Sequence, residues 1–268
     1  MNAEQLLKLE TWFTKYVSAF YGRDKEKNQI FQLKEEHTKR VCNNILWLGK
    51  SIHLSQADLR IVKVAALFHD IGRFKQYQDY GTFNDKISVN HARSGICQLS
   101  LHKILNKLPL VEKKLIFIPI AWHNAFKPPE IKDHKICLFI KLLRDADNLD
   151  IWNVVVDYYK TCKNKVNSTV CHDLSDNSST CSKKIIRSIY KKETAQTIEV
   201  SCLTDLKLLQ ISWAYDLNFP ESYRLLKKYR YIEELACTLP QTKEVKTAVA
   251  LVINHIDRMT GKNGKSPC

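Results

Sequence analysis

The sequence has few residues that interrupt regular secondary structure. Glycine and proline occur only seven times each in 268 residues. An all-β chain needs many turns, which these two residues favour, whereas long helices need few of them. Apolar residues make up 44% of the chain, which is a globular composition rather than a disordered one. We therefore predict an all-α fold.

Three further features are missing from the sequence. The nine cysteines form no C-x-x-C pair, and the segment MNAEQLLKLETWF lacks the basic and apolar regions of a secretory signal. No apolar run approaches the roughly 18–20 residues that a membrane span requires. We therefore expect reduced thiols, a cytoplasmic location and no membrane partner.

Acidic residues are too few to balance the basic ones. Lysine and arginine total 42 against 28 acidic residues, which gives a formal net charge of +14. A positive field of this kind favours anionic ligands such as phosphate esters, nucleotides or nucleic acid. The lysines are scattered rather than grouped in blocks, so a solvated basic surface is an equal alternative.

Helical spacing of apolar residues dominates the chain. We predict helices over residues 4–21, 29–50, 56–71, 89–107, 110–123, 134–149 with an extension to 159, 201–213, 220–230 and 241–258. Ser55 and Ser88 are predicted N-caps, and residues 73–87 are predicted to form an ordered loop. The predicted organisation is a helical core over 1–160, a polar surface loop over 161–182, and a C-terminal helical extension over 183–268 packed on that core.

The strongest chemical signal is the pair His69 and Asp70, which follows a very apolar helical segment. Burial of a carboxylate and an imidazole is costly unless another group pairs with them. A metal ion would supply that pairing. His37, His123 and Asp147 fall on apolar faces of other predicted helices, and metal sites in helical bundles are built from such inward-facing ligands.

Each of these residues alone could be a hydrogen-bonded core residue. Taken together, imidazoles and carboxylates on several buried faces predict a site for a divalent metal ion that needs no thiolate ligand. The sequence does not distinguish Mn²⁺, Fe²⁺, Co²⁺, Zn²⁺ and Mg²⁺.

The chain resembles the HD-domain metal-dependent phosphohydrolases. The resemblance rests on His37 in HTKRV, on His69 and Asp70 in ALFHDIGRF, and on Asp147 in LLRDADNLD, and it covers about residues 30–160. Within this family, the chain looks most similar to a bacterial group that carries the motifs HDIGRF, YGTF, NHA and LLRDADNLDIW. The resemblance implies an HD-domain helical bundle, here with additional C-terminal helices.

The resemblance also implies a set of metal ligands. A first ion would be held by His37, His69, Asp70 and Asp147, and Asp70 would bridge to a second ion held by His91 and His123. His123 is followed by Asn124, whereas phosphodiesterases of cyclic dinucleotides and symmetrical dinucleoside-tetraphosphate hydrolases typically have paired histidines there. One or two ions are therefore expected.

The implied reaction is hydrolysis of a phosphomonoester or phosphodiester bond in a small, nucleotide-like substrate by metal-activated hydroxide. Arg73 and Arg144 are predicted catalytic residues that bind phosphate, together with Lys127. Asp70 is predicted to act as a catalytic ligand. Asp145 is a further catalytic candidate, as a general base or as an acceptor that orients a ligand histidine, although a salt bridge is an alternative.

Other functions fit the same residues. An HD-type nuclease would use the basic surface to bind nucleic acid, and a di-iron oxygenase of the same fold would use the same ligand types. A non-catalytic sensor that retains the ligands is a further alternative. The loop at residues 80–85 could close over a substrate or form a plain structural turn, and the oligomeric state is left open.

Overall fold

A computed structural model describes residues 1–161, Leu174 and residues 181–261. These residues form α-helices and short 3₁₀ turns without any β-strand, so the predicted all-α fold is confirmed. The helices are α1 (Ala3–Ser18), α2 (Lys25–Ser51), α3 (Gln56–Phe68), α4 (Ile71–Tyr80), α5 (His91–Leu101), α6 (Leu110–Trp122), α7 (His134–Thr161), α8 (Lys183–Tyr190), α9 (Leu203–Ser212), α10 (Pro220–Lys228), α11 (Tyr231–Ala236) and α12 (Lys243–Gly261).

The chain divides into two compact units, an N-terminal unit over 1–150 and a C-terminal unit over 151–268. The division falls inside α7, after Asp150. The predicted core extended ten residues further, to residue 160. The predicted surface loop at 161–182 and the tail after 261 lie almost entirely outside the described residues. The packing of the C-terminal extension on the core stays a prediction.

Helix α3 forms the centre of the N-terminal unit. Helices α1, α2 and α6 pack against it, and residues 64–68 are all buried. Ser55 caps its first turn as predicted, because its hydroxyl accepts a hydrogen bond from the backbone nitrogen of Asp58 at 3.1 Å. The apolar C-terminal half of α3 therefore ends deep in the core, immediately before His69.

The prediction of a loop over residues 73–87 is wrong in its first half, where α4 lies. Phe74 is fully buried and packs on the rings of Phe13, Phe20 and Phe31, which stabilises a helix in this segment. Gly81, with φ of 66°, ends the helix in the left-handed conformation that glycine adopts readily. Polar residues between the apolar ones concealed this short helix in the sequence.

Helix α5 begins later than predicted, and its cap is Asn90 rather than Ser88. The Asn90 side chain accepts from the backbone nitrogen of Arg93 at 3.0 Å, whereas the Ser88 hydroxyl donates to the carbonyl of Asn84. The start of α5 lies against α4 at Gly72. A Cβ atom on Gly72 would be 2.2 Å from the carbonyl oxygen of His91, so only glycine allows this approach.

The C-terminal unit is built around α9. Every residue of α9 is buried, and α8, α11 and α12 contact it. The indole of Trp152 donates to the carbonyl of Gln210 at 3.0 Å within the same unit. The helices predicted over 201–213, 220–230 and 241–258 are present as α9, α10 and α12. Among the described residues, no helix is both long enough and apolar enough to cross a membrane.

Candidate metal centre

The six predicted metal ligands come from five places in the N-terminal unit and meet at one point. His37 lies in the middle of α2, and His69 and Asp70 lie between α3 and α4. The remaining three are the first residue of α5, the residue after α6, and a residue of α7: His91, His123 and Asp147. Five of the six are buried, and the side chain of Asp147 is 14% exposed.

The first part of the cluster joins two histidines to two carboxylates. His37 Nε2 lies 3.2 Å from Asp147 Oδ1 and 3.6 Å from Asp70 Oδ2. His69 Nε2 lies 3.6 Å from the same Asp147 oxygen and 3.8 Å from the same Asp70 oxygen. Each of the two carboxylate oxygens is therefore shared between the same two imidazoles.

The second part of the cluster uses the other oxygen of Asp70. His91 Nε2 lies 3.5 Å from Asp70 Oδ1, and His123 Nε2 lies 4.0 Å from it. Asp70 consequently presents Oδ2 to one pair of histidines and Oδ1 to another. In three overlapping groups of these residues the ligand atoms lie within 4.8 Å of one another, close enough to hold a metal ion.

All four histidines use Nδ1 for an outward hydrogen bond. His69 and His123 donate to the backbone carbonyls of Ala66 and Ile120, each at 2.7 Å. A carbonyl oxygen can only accept, so both rings carry a proton on Nδ1 and turn Nε2 toward the centre of the cluster.

The other two histidines have a carboxylate at Nδ1. His37 donates to Asp150 Oδ2 at 2.6 Å, and His91 donates to Asp85 Oδ2 at 2.7 Å. Acceptors of this kind orient the ring and leave Nε2 to face the centre of the cluster.

This donor set fits a divalent cation. His37 Nε2 lies 3.2 Å from His69 Nε2, and His91 Nε2 lies 3.1 Å from His123 Nε2. When both nitrogens of such a pair carry lone pairs, they repel each other unless a positive charge lies between them. A mixture of imidazole nitrogen and carboxylate oxygen suits Mn²⁺, Fe²⁺, Co²⁺ or Zn²⁺.

Both carboxylates at the centre are ionised. Burial would raise the pKa of Asp70, but the positive charges of Lys34 and Arg73 hold it well below its usual range. Burial would also raise the pKa of Asp147, and hydrogen bonds with His37 and His69 lower it well below its usual range. The centre therefore offers negatively charged oxygens to a cation at neutral pH.

The histidine rings differ in their electrostatic setting. Burial would lower the pKa of His37, but hydrogen bonds with Asp147 and Asp150 outweigh it and raise the pKa to about 9. Burial lowers the pKa of His123 to about 3, with a contribution from His91. The first part of the cluster therefore stabilises a positive charge at His37. In the second part, His123 is a neutral imidazole.

Two cationic side chains contact Asp70 from the side. Lys34 Nζ lies 2.8 Å from Asp70 Oδ2, one helical turn before His37 on α2. Arg73 Nε lies 3.4 Å from Asp70 Oδ1, and Arg73 Nη1 donates to Asp85 at 2.9 Å. The ammonium and the guanidinium bring positive charge to the edge of an otherwise acidic and imidazole-lined centre.

Sequence reasoning missed three polar residues of this site: Lys34, Asp85 and Asp150. Asp150 could have been found, because it lies one turn after Asp147 on α7 and so shares its face. Its carboxylate accepts from His37 and also from Arg40 Nε at 2.6 Å. Asp85 lies in a loop, where no periodicity indicates which way a side chain points.

Three other predicted site residues lie outside the ligand groups. Asp145 is fully buried on α7, and Lys127 is exposed. Arg144 Nη1 donates to the backbone carbonyls of His123 at 3.0 Å and Ala125 at 2.5 Å, which fixes the segment that follows α6. The catalytic or phosphate-binding roles of all three stay predictions.

The family model of the HD domain matches residues 35–152. The chain carries an HD domain. The match covers somewhat less than half of the chain and includes all six clustered ligands as well as Asp150. No curated protein and no solved structure matches the chain.

The HD domain matched by residues 35–152 is characteristic of a superfamily of metal-dependent hydrolases. The predicted recognition of an HD domain is therefore confirmed. The bacterial subgroup suggested by HDIGRF and LLRDADNLDIW, and the substrate of this chain, stay predictions.

Proposed function

We propose that the HD domain of this chain hydrolyses a phosphomonoester or phosphodiester bond in a small, nucleotide-like substrate, with one or two divalent ions. The observation that carries the proposal is the position of Asp70. Its two oxygens face separate pairs of histidines, His37 with His69 and His91 with His123.

The ligand residues fit this chemistry. The first ion would be held by His37, His69, Asp70 and Asp147, and the second by Asp70, His91 and His123. Ions held there would lower the pKa of water toward neutrality and polarise the phosphoryl oxygens of the substrate. The protein contributes four histidine rings already oriented through Nδ1, so little reorganisation accompanies binding.

Lys34 and Arg73 are the residues that we assign to the substrate phosphate. Arg73 Nε makes no hydrogen bond within the described part of the chain, although Asp70 Oδ1 lies 3.4 Å away, and an anion would satisfy it. Lys34 Nζ is held at Asp70 Oδ2 and lies 5.2 Å from the centre of the Phe83 ring. Both cations would stabilise negative charge that develops on phosphoryl oxygens during hydrolysis.

Other parts of the proposal rest on the sequence. The nucleotide-like substrate follows from the resemblance to the HD-domain phosphohydrolases and from the net charge of +14. We assign Arg144 a positioning role, since it fixes the segment that carries His123. A catalytic role for Asp145, phosphate binding by Lys127 and a cytoplasmic location remain part of the proposal.

The proposal is tested by a phosphate-release screen over nucleotides and simple phosphate esters, with each candidate metal supplied separately. We expect release with at least one metal, and at least a hundredfold lower release for His69→Ala, as expected when an ion that lowers the barrier by several kcal/mol is lost. The matched control is His134→Ala, because His134 is exposed at the start of α7 and lies outside the ligand groups.

The result separates the competing functions. Full activity of His69→Ala in the metal-replete assay contradicts the proposed reaction. Oxygen consumption with a redox-active iron pair, and no phosphate release, supports the oxygenase instead. Absence of turnover with every metal supports a sensor.

A further inference from the structure

Asp85 lies on the loop between α4 and α5 and connects that loop to the metal centre. Its Oδ2 accepts hydrogen bonds from His91 Nδ1 at 2.7 Å and from the His91 backbone nitrogen at 3.4 Å. Its Oδ1 accepts from Arg73 Nη1 and from Gln76 Nε2, each at 2.9 Å. One carboxylate thus holds a ligand histidine with one oxygen and two residues of α4 with the other.

The loop is fixed around this carboxylate rather than free to swing. Gln76 is fully buried, and its Nε2 also contacts Ser88 Oγ at 2.8 Å and the carbonyl of Val89 at 2.9 Å. Arg73 Nη1 donates to the carbonyl of Phe83 at 2.6 Å. These contacts hold both ends of the loop to α4, so the position of Asp85 is determined by α4.

The two parts of the cluster have the same construction. His37, in the first part, has Asp150 at Nδ1, and His91, in the second part, has Asp85 at Nδ1. The other two histidines have backbone carbonyls in that position. Each candidate ion position therefore has one imidazole whose orientation depends on one carboxylate.

We propose that Asp85 is the positioning residue that determines whether the second ion position, formed by Asp70, His91 and His123, is filled. The inference rests on the proposed function. A charged acceptor at Nδ1 fixes the tautomer of His91, keeps Nε2 directed at Asp70 Oδ1 and makes that nitrogen a stronger ligand. Asp150 acts in the same way for the first position.

The test is equilibrium dialysis of the metal-free chain against Mn²⁺, with the ions bound per chain counted by elemental analysis. We expect two ions for the wild type. In Asp85→Asn the affinity for the second ion falls about 10- to 100-fold while the first is retained, the loss typical of removing a residue that orients a ligand. Asp85→Ala should bind the second ion more weakly still, since the asparagine oxygen can accept a hydrogen bond from His91.

Two variants and one spectrum complete the design. Asp150→Asn is the matched counterpart and should weaken the first ion instead. Ser88→Ala removes a loop contact to Gln76 without touching His91, and should lower the affinity for the second ion far less than Asp85→Asn does. Two Mn²⁺ ions that share Asp70 give an exchange-coupled electron paramagnetic resonance signal, which Asp85→Asn should replace by the signal of a single ion.

The outcomes distinguish the inference from the proposed function. Unchanged affinities in Asp85→Asn and Asp85→Ala, or an equal loss in Ser88→Ala, overturn the role of Asp85 and leave the proposed function standing. A wild type that binds one ion only also overturns the inference, since there is then no second ion to position. A wild type that binds none overturns both. Circular dichroism verifies that each variant is folded.

Discussion

At the scale of single residues, Asp70 is shared by the two candidate ion positions. Among the described residues, Asp70 is the one carboxylate of the ligand groups that has oxygens within 4.0 Å of both pairs of histidines. A change at Asp70 therefore affects both candidate ion positions, whereas a change at His37 or His91 affects one.

Lys34 gives a prediction at the same scale. Lys34→Met removes the ammonium that lies 2.8 Å from Asp70 Oδ2 and is available to a substrate phosphate. We expect kcat/KM for the phosphorylated substrate to fall roughly 10- to 100-fold, because a hydrogen bond to a charged group contributes about 1.5–3 kcal/mol. Steady-state kinetics with saturating metal measures this effect.

The matched control for Lys34 is Lys39→Met on the same helix. Lys39 is 62% exposed and pairs with Glu35 at 2.7 Å, and exposed ion pairs of this kind contribute little. Equal kinetic effects of the two substitutions would contradict a role for Lys34 at the phosphate.

Five of the six clustered residues could be predicted from the sequence because their chemistry conflicts with their setting, whereas His91 was implied only by the resemblance to HD-domain phosphohydrolases. His37 and Asp147 recur on apolar helix faces, where polar groups need a partner. Lys34 and Asp85 could not be predicted in this way. Lys34 contacts Asp70, which is 36 residues away along the chain, and Asp85 contacts His91, which is 6 residues away. Both contacts depend on how α2, α4 and the loop pack, which the pattern of the sequence does not indicate.

At the scale of helices, the contact between α4 and α5 places His91 next to the His69 and Asp70 pair. Gly72 and Gly95 face each other where the two helices approach, and a Cβ on Gly72 would lie 2.5 Å from the Gly95 nitrogen. Because these neighbours are backbone atoms, a larger residue would push the helices apart rather than displace a side chain.

Gly72→Ala should therefore destabilise the N-terminal unit and weaken the second ion position. We expect the free energy of unfolding to fall by about 1–3 kcal/mol, the usual cost of inserting an extra methyl group into a closely packed contact. Urea denaturation measures the change. Gly22→Ala is the control, since a Cβ there meets nothing within 4 Å, and comparable destabilisation by both would contradict the packing argument.

Most helices could be predicted from periodicity, and α4 shows where that approach fails. Its buried positions are Ile71, Gly72, Phe74 and Gln76, of which two are not apolar side chains. The pattern of apolar residues is therefore too sparse to indicate a helix. Its stability comes from aromatic packing of Phe74 and from close contact at Gly72, both of which depend on distant segments.

At the scale of the whole molecule, the net charge of +14 would favour both a small phosphate ester and nucleic acid, and the effect of salt distinguishes these substrates. A nuclease that neutralises six to ten phosphates loses about 10³–10⁵ in affinity between roughly 50 and 200 mM salt. For a small phosphate ester only nearby charges matter, and we expect kcat/KM to fall less than about tenfold over the same range. Kinetics at several salt concentrations distinguish the two, and a loss of a thousandfold or more would contradict a small substrate.

The histidine and aspartate cluster of the HD domain is proposed to hold a divalent metal ion. The most direct test is the metal content of the purified chain after reconstitution with each candidate ion, measured by elemental analysis for the wild type and for Asp70→Ala. We predict at least one bound ion per wild-type chain, and almost none in Asp70→Ala although its helices remain formed. A wild type that retains no ion, or an Asp70→Ala variant with the same metal content, would contradict metal binding by this cluster.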